Sequence, residues 1–287
     1  MKINPVFKKE LQINVRSRRL LVMIIFFNTM LTLIGLIILY DIIGWAEIEA
    51  NINYSSAITL YQLLIIIEFS LLVFVVPAVT AGSISGERER QTLDILLSSK
   101  LTSANIILGK LASSVIIMIL LIISGLPVIS LIFIFGGVTF TDVLIITIYL
   151  IFITFFVGVL GIASSTALKR TTSASVVTYG SILFFCLGTL VLVAMLELIL
   201  QFRNPEVAKG TGWTLMILLI NPVITLLELL GRQVGTTTNI FDWTFGMEIP
   251  LFLKTHWITL SIMVQSIIIA ILLRFSFHQL NPLKKKR

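Results

Sequence analysis

A single cysteine, Cys186, lies inside an apolar run, so the chain can form no intrachain disulfide. The two histidines, His256 and His278, stand far apart and have no cysteine or histidine neighbour at ligand spacing, which argues against a metal centre. No segment reads G-x-x-x-x-G-K-[ST]. Gly109-Lys110 lacks both the upstream glycine and the following hydroxyl, so this chain encodes no phosphate-cradling loop. Charge is scarce too: 12% of the 287 residues are Asp, Glu, Lys or Arg, about half the share usual in a soluble domain.

What fills the chain instead is hydrocarbon. Hydrophobic residues make up 57% of it, and the mean hydropathy is +1.06. Several apolar stretches of about 20 residues or more predict an all-α polytopic membrane protein. We read 1–287 as a single transmembrane domain. The first span runs from Leu20 to Tyr40, about 30 Å as a helix. It is longer than a signal-peptide core, and no small-x-small cleavage site follows it. Five more spans are expected near Thr59–Gly82, Leu111–Phe135, Val143–Leu168, Val176–Leu200 and Trp257–Phe277. Pro77 and Pro127 fall inside spans, where membrane helices tolerate them. Gly161 and Ser165 form a small-xxx-small pair that predicts close helix packing.

The formal net charge of +7 is explained by topology rather than by nucleic acid. With the amino terminus inside, the inner segments hold Lys2, Lys8, Lys9, Arg16, Arg18 and Arg19, then Arg88, Arg90, Lys100 and Lys110. They also take Lys169 and Arg170, then Arg274, Lys284, Lys285, Lys286 and Arg287. Of the 21 basic residues only Arg203, Lys209, Arg232 and Lys254 remain outside, as the positive-inside rule requires. Arg274 is expected to snorkel to the headgroups.

The same count bears on Trp213–Gly231, which is apolar enough to be a seventh span. A seventh crossing would carry the basic carboxyl terminus outside and bury Glu228 unpaired. Asn221-Pro222 also breaks the segment at its middle, so a re-entrant pair of short helices is expected within the outer loop 201–256.

Two polar stretches carry the rest. Residues 1–19 place Ile3, Val6, Phe7, Leu11 and Val15 at helical spacing, with basic residues elsewhere on the wheel; this reads as an amphipathic helix in the interface. Residues 83–110 open on Glu87-Arg88-Glu89-Arg90. They then place Leu93, Leu96, Leu97 and Leu101 along one helical face. Ser85 is the expected cap of that helix, and Thr102 or Ser103 the cap of the next.

The order of residues in this stretch resembles a known family. Gly86-Glu87-Arg88-Glu89-Arg90-Gln91-Thr92-Leu93-Asp94-Ile95-Leu96-Leu97, followed by Ile106-Ile107-Leu108-Gly109-Lys110, is similar to the signature of ABC-2 type permeases, the membrane subunits of ATP-binding-cassette exporters. Gln91 stands where the family usually has glycine, and Lys100 where it often has proline. Phe7-Lys8-Lys9-Glu10-Leu11 with Arg16 to Arg19 is similar to the family's amino-terminal helix. Asn221-Pro222 fits its short outer helices.

The resemblance implies a permease rather than an enzyme, multi-pass in the plasma membrane with both termini cytoplasmic. It would pair with an identical or related permease and with two copies of an ABC ATPase. Those ATPases would bind the ATP and Mg²⁺, leaving this chain without a cofactor. The resemblance implies that Glu87, Arg88, Glu89, Arg90, Thr92, Leu93, Leu96 and Leu97 dock and couple to the ATPase. The charges are expected to pair with Arg16, Arg18 and Arg19 of a helix that also holds Glu10, or with the ATPase itself. Their alternative is a solvated charged face, and the leucines' alternative is contact with lipid.

The resemblance implies that the spans bearing Glu68 and Glu197 line the path between the halves, so both are candidates to face it. For Glu68, within the second span, a cavity or a partner is favoured; for Glu197, near the outer end of the fifth, an interfacial position is. The expected job is export of an amphipathic cargo such as a peptide, antibiotic or lipid-like compound. The alternatives are a sodium or metal-ion exporter of the same family, or a passive channel or membrane anchor.

Overall fold

The computed structural model describes residues 5–49, 54–98, 101–134, 138–203, 214–235 and 251–280. Lys2, Lys100, Lys209, Trp213 and the basic run Lys284 to Arg287, all used in the topology argument, lie outside the described residues. Among those described there are helices and no strands. The elements are α1 (Pro5–Val15), α2 (Arg18–Glu49), α3 (Tyr54–Thr80), α4 (Ser85–Glu89), α5 (Leu93–Leu97), α6 (Ser103–Ser130), α7 (Phe140–Ala167), α8 (Thr171–Leu183), α9 (Thr189–Arg203), α10 (Pro222–Val234) and α11 (Leu251–Gln279). Among the described residues six stretches are long and apolar enough to cross a membrane: Arg18–Tyr40, Ile58–Glu89, Ser103–Ser130, Phe140–Ala167, Thr171–Leu200 and Phe252–Gln279. Each overlaps one of the spans expected from sequence, the third ending at Ser130 rather than Phe135 and the fourth at Ala167 rather than Leu168.

The chain forms two compact units, Met1–Thr178 with Leu273–Arg287, and Tyr179–Leu272. In the first, α6 is the hub, in contact with α1, α2, α3 and α7. The most apolar windows of α6 and α7 are each 61% buried, against 17% for α2, so the hub helices are held by protein while α2 meets mostly its surroundings. Thr102 rather than Ser103 caps α6, its hydroxyl accepting from the Asn105 amide. α7 begins with a capping box in which Thr139 and Asp142 satisfy each other's backbone amides.

Glycine has a packing reason at Gly161. A Cβ there would lie 2.0 Å from Thr80 Oγ1 and 2.8 Å from Thr80 Cβ, so α3 and α7 approach closely only because it is absent. Gly158, one turn earlier, faces Leu111 of α6 in the same way at 3.3 Å.

The second unit is organised by Asn221. A 3₁₀ helix, Thr214–Ile220, meets α10 at a bend of 93°. Asn221 makes that bend affordable in hydrogen bonds. Its Oδ1 accepts from the Val223 and Ile224 amides at 2.8 and 3.2 Å, and Pro222 occupies the first turn, where an amide is not needed. Its Nδ2 donates to the Cys186 carbonyl and to Thr189 Oγ1, both at 2.9 Å. One acceptor lies within, and the other just after, a π-helical turn, Phe184–Gly188, which interrupts what the sequence reads as one uniform fifth span. Val193, Leu215, Leu218, Leu219, Ile224 and Trp257 form the apolar core around the bend. α10 ends on Gly235, whose φ of 67° is the left-handed cap that glycine adopts at least cost.

In the second unit Arg232 Nε, one turn on from Glu228, reaches its Oε1 at 2.9 Å. Glu197 is 4% exposed there and accepts from Thr214 Oγ1. Two local expectations are corrected. Ser85 does not cap α4: the cap position is Ile84, and the Ser85 hydroxyl donates instead to the Ala81 carbonyl. The polar stretch after the second span is two short helices, α4 and α5, rather than one. They break at Gln91, the one described non-glycine residue with positive φ, at 59°.

A side chain with Cβ adopts this conformation at a cost of about 1–2 kcal/mol. Gln91→Gly is therefore expected to raise stability by about 0.5–1 kcal/mol after the glycine's extra unfolded-state entropy is subtracted. A thermal melt of the purified protein reads this directly, and an unchanged or lower midpoint would contradict it.

Candidate functional site

The polar stretch is locked into the first unit by four interactions: two reach α7, one reaches α8, and one reaches α6 and α1. Ser165 of α7 does for α4 what its own cap residue does not: its Oγ accepts from the Ile84 and Ser85 amides, both at 2.9 Å. Arg88 donates to the Leu168 carbonyl at 2.8 Å and to the Thr166 carbonyl at 3.2 Å. A cation thus sits on the orphan carbonyls at the carboxyl end of α7. Glu89 takes the complementary position at the start of α8, where its two oxygens accept from the Thr171 amide and hydroxyl, both at 2.9 Å. Arg88 and Glu89 together therefore clip the turn between the fourth and fifth spans.

The fourth interaction is a charged node. Lys110, in α6, is 4% exposed, and its Nζ lies 2.9 Å from both Glu10 Oε1 of α1 and Glu87 Oε1 of α4. Two carboxylates around one buried ammonium over-compensate its charge, which offsets the cost of taking it out of water. The node ties the amino-terminal helix, the polar stretch and the hub helix at one point. Thr92 closes the segment, its amide and hydroxyl both donating to the Glu87 carbonyl at 2.9 and 3.2 Å.

The structure thus brings together Glu10, Glu87, Arg88, Glu89 and Thr92, and does not give the carboxylates of α4 the partners expected for them. Arg16, Arg18 and Arg19 are exposed, and no ion pair joins them to Glu87 or Glu89 among the described residues. Glu10 makes the link from that helix, through Lys110. Sequence reading placed Lys110 as a basic residue of an inner segment and at the end of the family-like signature, without assigning it a partner. Two signals pointed to it: Glu10 is the one acidic residue among the first 19, and Lys110 precedes a run of hydrocarbon with no neighbouring acid.

The leucines also divide. Leu93 is 5% exposed and faces the protein, Leu96 and Leu97 are half-buried, and the residue presented outward is Ile95, at 71%. Arg90 is exposed beside it, without an ion-pair partner among the described residues. So the outward face of this stretch carries Arg90 and Ile95, whereas Leu93 serves the fold.

Glu68 sits deeper in the same unit. It is fully buried, neither carboxylate oxygen has a hydrogen-bond partner among the described residues, and Oε1 lies 3.2 Å from where a Cβ on Gly125 would be. That same absent Cβ would touch Phe27 and Leu31, so the carboxyl occupies a notch between α2, α3 and α6 that Gly125 leaves open. In this packing Glu68 reaches no surface; to line a path, α2 would have to part from α6.

A family model described as ABC-2 family transporter protein matches residues 4–279, almost the whole chain and all of the elements above. No curated protein matches it.

Proposed function

This chain belongs to the ABC-2 family of transporter proteins and is a membrane permease component, and from that premise we propose that it is the permease half of an ATP-driven exporter worked by separate ATPase subunits. In this reading the ATPase grips the outward face of α4 and α5, both termini are cytoplasmic, and a second permease, identical or related, completes the path. The proposed cargo is amphipathic, such as a peptide, antibiotic or lipid-like compound.

The observation that carries the proposal is mechanical. Every charged side chain of α4 is tied to another element: Glu87 through Lys110 to α6 and α1, Arg88 to the end of α7, Glu89 to the start of α8. A displacement of this segment cannot be absorbed locally. It must move the third and fourth spans and the amino end of the fifth, because the bonds at both ends of the turn at 168–171 travel with α4. Ile95 remains free to meet a protein outside.

Two substitutions separate the grip from the linkage. Ile95→Asp alters a residue that is 71% exposed, so the fold should survive while capture of the ATPase subunit that co-purifies with the native chain falls at least about tenfold, the scale of an apolar interface anchor. Glu87→Lys with Glu89→Lys should leave capture largely in place and abolish ATP-dependent transport. Retention of capture by the first variant and of transport by the second would remove the docking proposal.

A further inference from the structure

A cavity of about 470 Å³ opens beside the Lys110 node, wholly within the first unit. Its size lies in the usual range for small-molecule sites, about 300–1,000 Å³. The coupling role gives it no task.

Its lining changes character along its length, and in the same direction on three elements. On α2 the wall passes from Arg19 to Met23, on α6 from Lys110 to Ile117, and along the chain from Arg90, at the end of α4, back to Val79 in α3. Each pair runs from the charged end of the bundle into the hydrocarbon of a span. A docked loop of a water-soluble partner has nothing to place against that apolar floor. An amphiphile has.

The charges say which amphiphile. Three cations, Arg19, Arg90 and Lys110, and two carboxylates, Glu10 and Glu87, line the cavity, which leaves one positive charge in excess. Lys110 is already held by both carboxylates. Arg19 and Arg90 have no ion-pair partner among the described residues, and they approach from two different elements. Planar guanidinium groups match the oxygens of a phosphodiester, and each binds one through paired hydrogen bonds.

We infer that this cavity holds a monoanionic phospholipid of the leaflet at the Lys110 end of the bundle. Arg19 and Arg90 clasp its phosphate, and its first acyl carbons lie against Met23, Val79 and Ile117. A zwitterionic lipid carries an extra cation into a site already one charge positive, so it binds more weakly. The site stands independently of which protein drives the transporter, and of the direction of transport.

The test uses the purified full chain in phosphatidylcholine nanodiscs, with trace spin-labelled phosphatidylglycerol or spin-labelled phosphatidylcholine as the probe. The motionally restricted fraction should favour phosphatidylglycerol at least about fivefold. Arg19→Gln with Arg90→Gln should erase that preference. Ile117→Trp, which fills the floor without touching a charge, should lower it to the same degree, with the melting temperature of each variant showing that the fold persists. Equal association of the two lipids would overturn the inference, as would a preference that survives the double arginine change. Displacement of the labelled lipid by millimolar glycerol phosphate would mean a soluble-phosphate site and not a lipid one. Loss of ATPase capture in the double variant with lipid preference intact would assign the arginines to a protein surface. Since no readout of lipid association requires ATP, failure here and failure of the coupling proposal are told apart.

Discussion

Lys110→Met is expected to lower stability by about 2–3 kcal/mol and to cut ATP-dependent transport at least tenfold. Removing the ammonium leaves Glu10 and Glu87, each of which had an oxygen 2.9 Å from it, facing one another without compensation. Breaking a fully buried pair in this way costs about 3–5 kcal/mol. These carboxylates are 29% and 26% exposed, so water recovers part of that cost and the lower figure applies. The variant Lys110→Met, Glu10→Gln, Glu87→Gln separates structure from coupling. Three neutral side chains of similar volume should restore most of the stability, because the interior of a bundle tolerates replacement of a whole ionic group better than loss of one member. Transport should stay low, since α1, α4 and α6 are then no longer joined by charge. Recovery of transport along with stability would show that the node serves the fold alone.

Gly161→Ala is expected to be nearly as damaging despite adding one methyl group. Its Cβ would fall 2.0 Å from Thr80 Oγ1, 2.8 Å from Thr80 Cβ and 3.3 Å from the Ala81 backbone nitrogen. Overpacking usually costs about 1–3 kcal/mol, and here the upper end applies because helix backbone lies behind the clash and cannot swing aside. Thr80→Gly removes the two nearest obstacles. It orphans no partner, because the Thr80 hydroxyl donates only to the Val76 carbonyl of its own helix. Alone it should cost about 1 kcal/mol, the penalty of glycine in a helix. Combined with Gly161→Ala it should recover most of the loss, giving a coupling of at least about 1.5 kcal/mol in a double-mutant cycle of unfolding measurements. Additive effects would mean that α3 and α7 do not approach at this point.

Much of the architecture was legible in the sequence because membranes simplify the code. A run of hydrocarbon long enough to cross lipid has one regular structure open to it, so the spans follow from length and polarity. The break at Asn221-Pro222 was legible too, since asparagine there serves as cap and proline tolerates the first turn. What stayed hidden were pairings across the fold. Nothing local tells Glu10 that its partner stands 100 residues away in α6, or tells α4 that Ser165 of α7 will satisfy its amides. The small-xxx-small pair at Gly161 and Ser165 announced close packing, yet only the packed helices show the serine acting as a cap for another segment. Gln91 illustrates a different limit. Periodicity carried the helix straight through it, because a helical stripe of leucines says nothing about one residue's φ. The resulting half-turn buries Leu93 and turns Ile95 outward.

Ile95 is also where the central claim meets its most direct measurement. In a chain carrying Cys186→Ala and Ile95→Cys, a membrane-impermeant maleimide should leave intact cells unlabelled and should react once the membrane is opened. Added ATPase subunit should then protect the thiol. Labelling of Ile95→Cys from outside intact cells, or equal labelling with and without the ATPase after opening, would contradict a segment that takes up force from a partner on the cytoplasmic side.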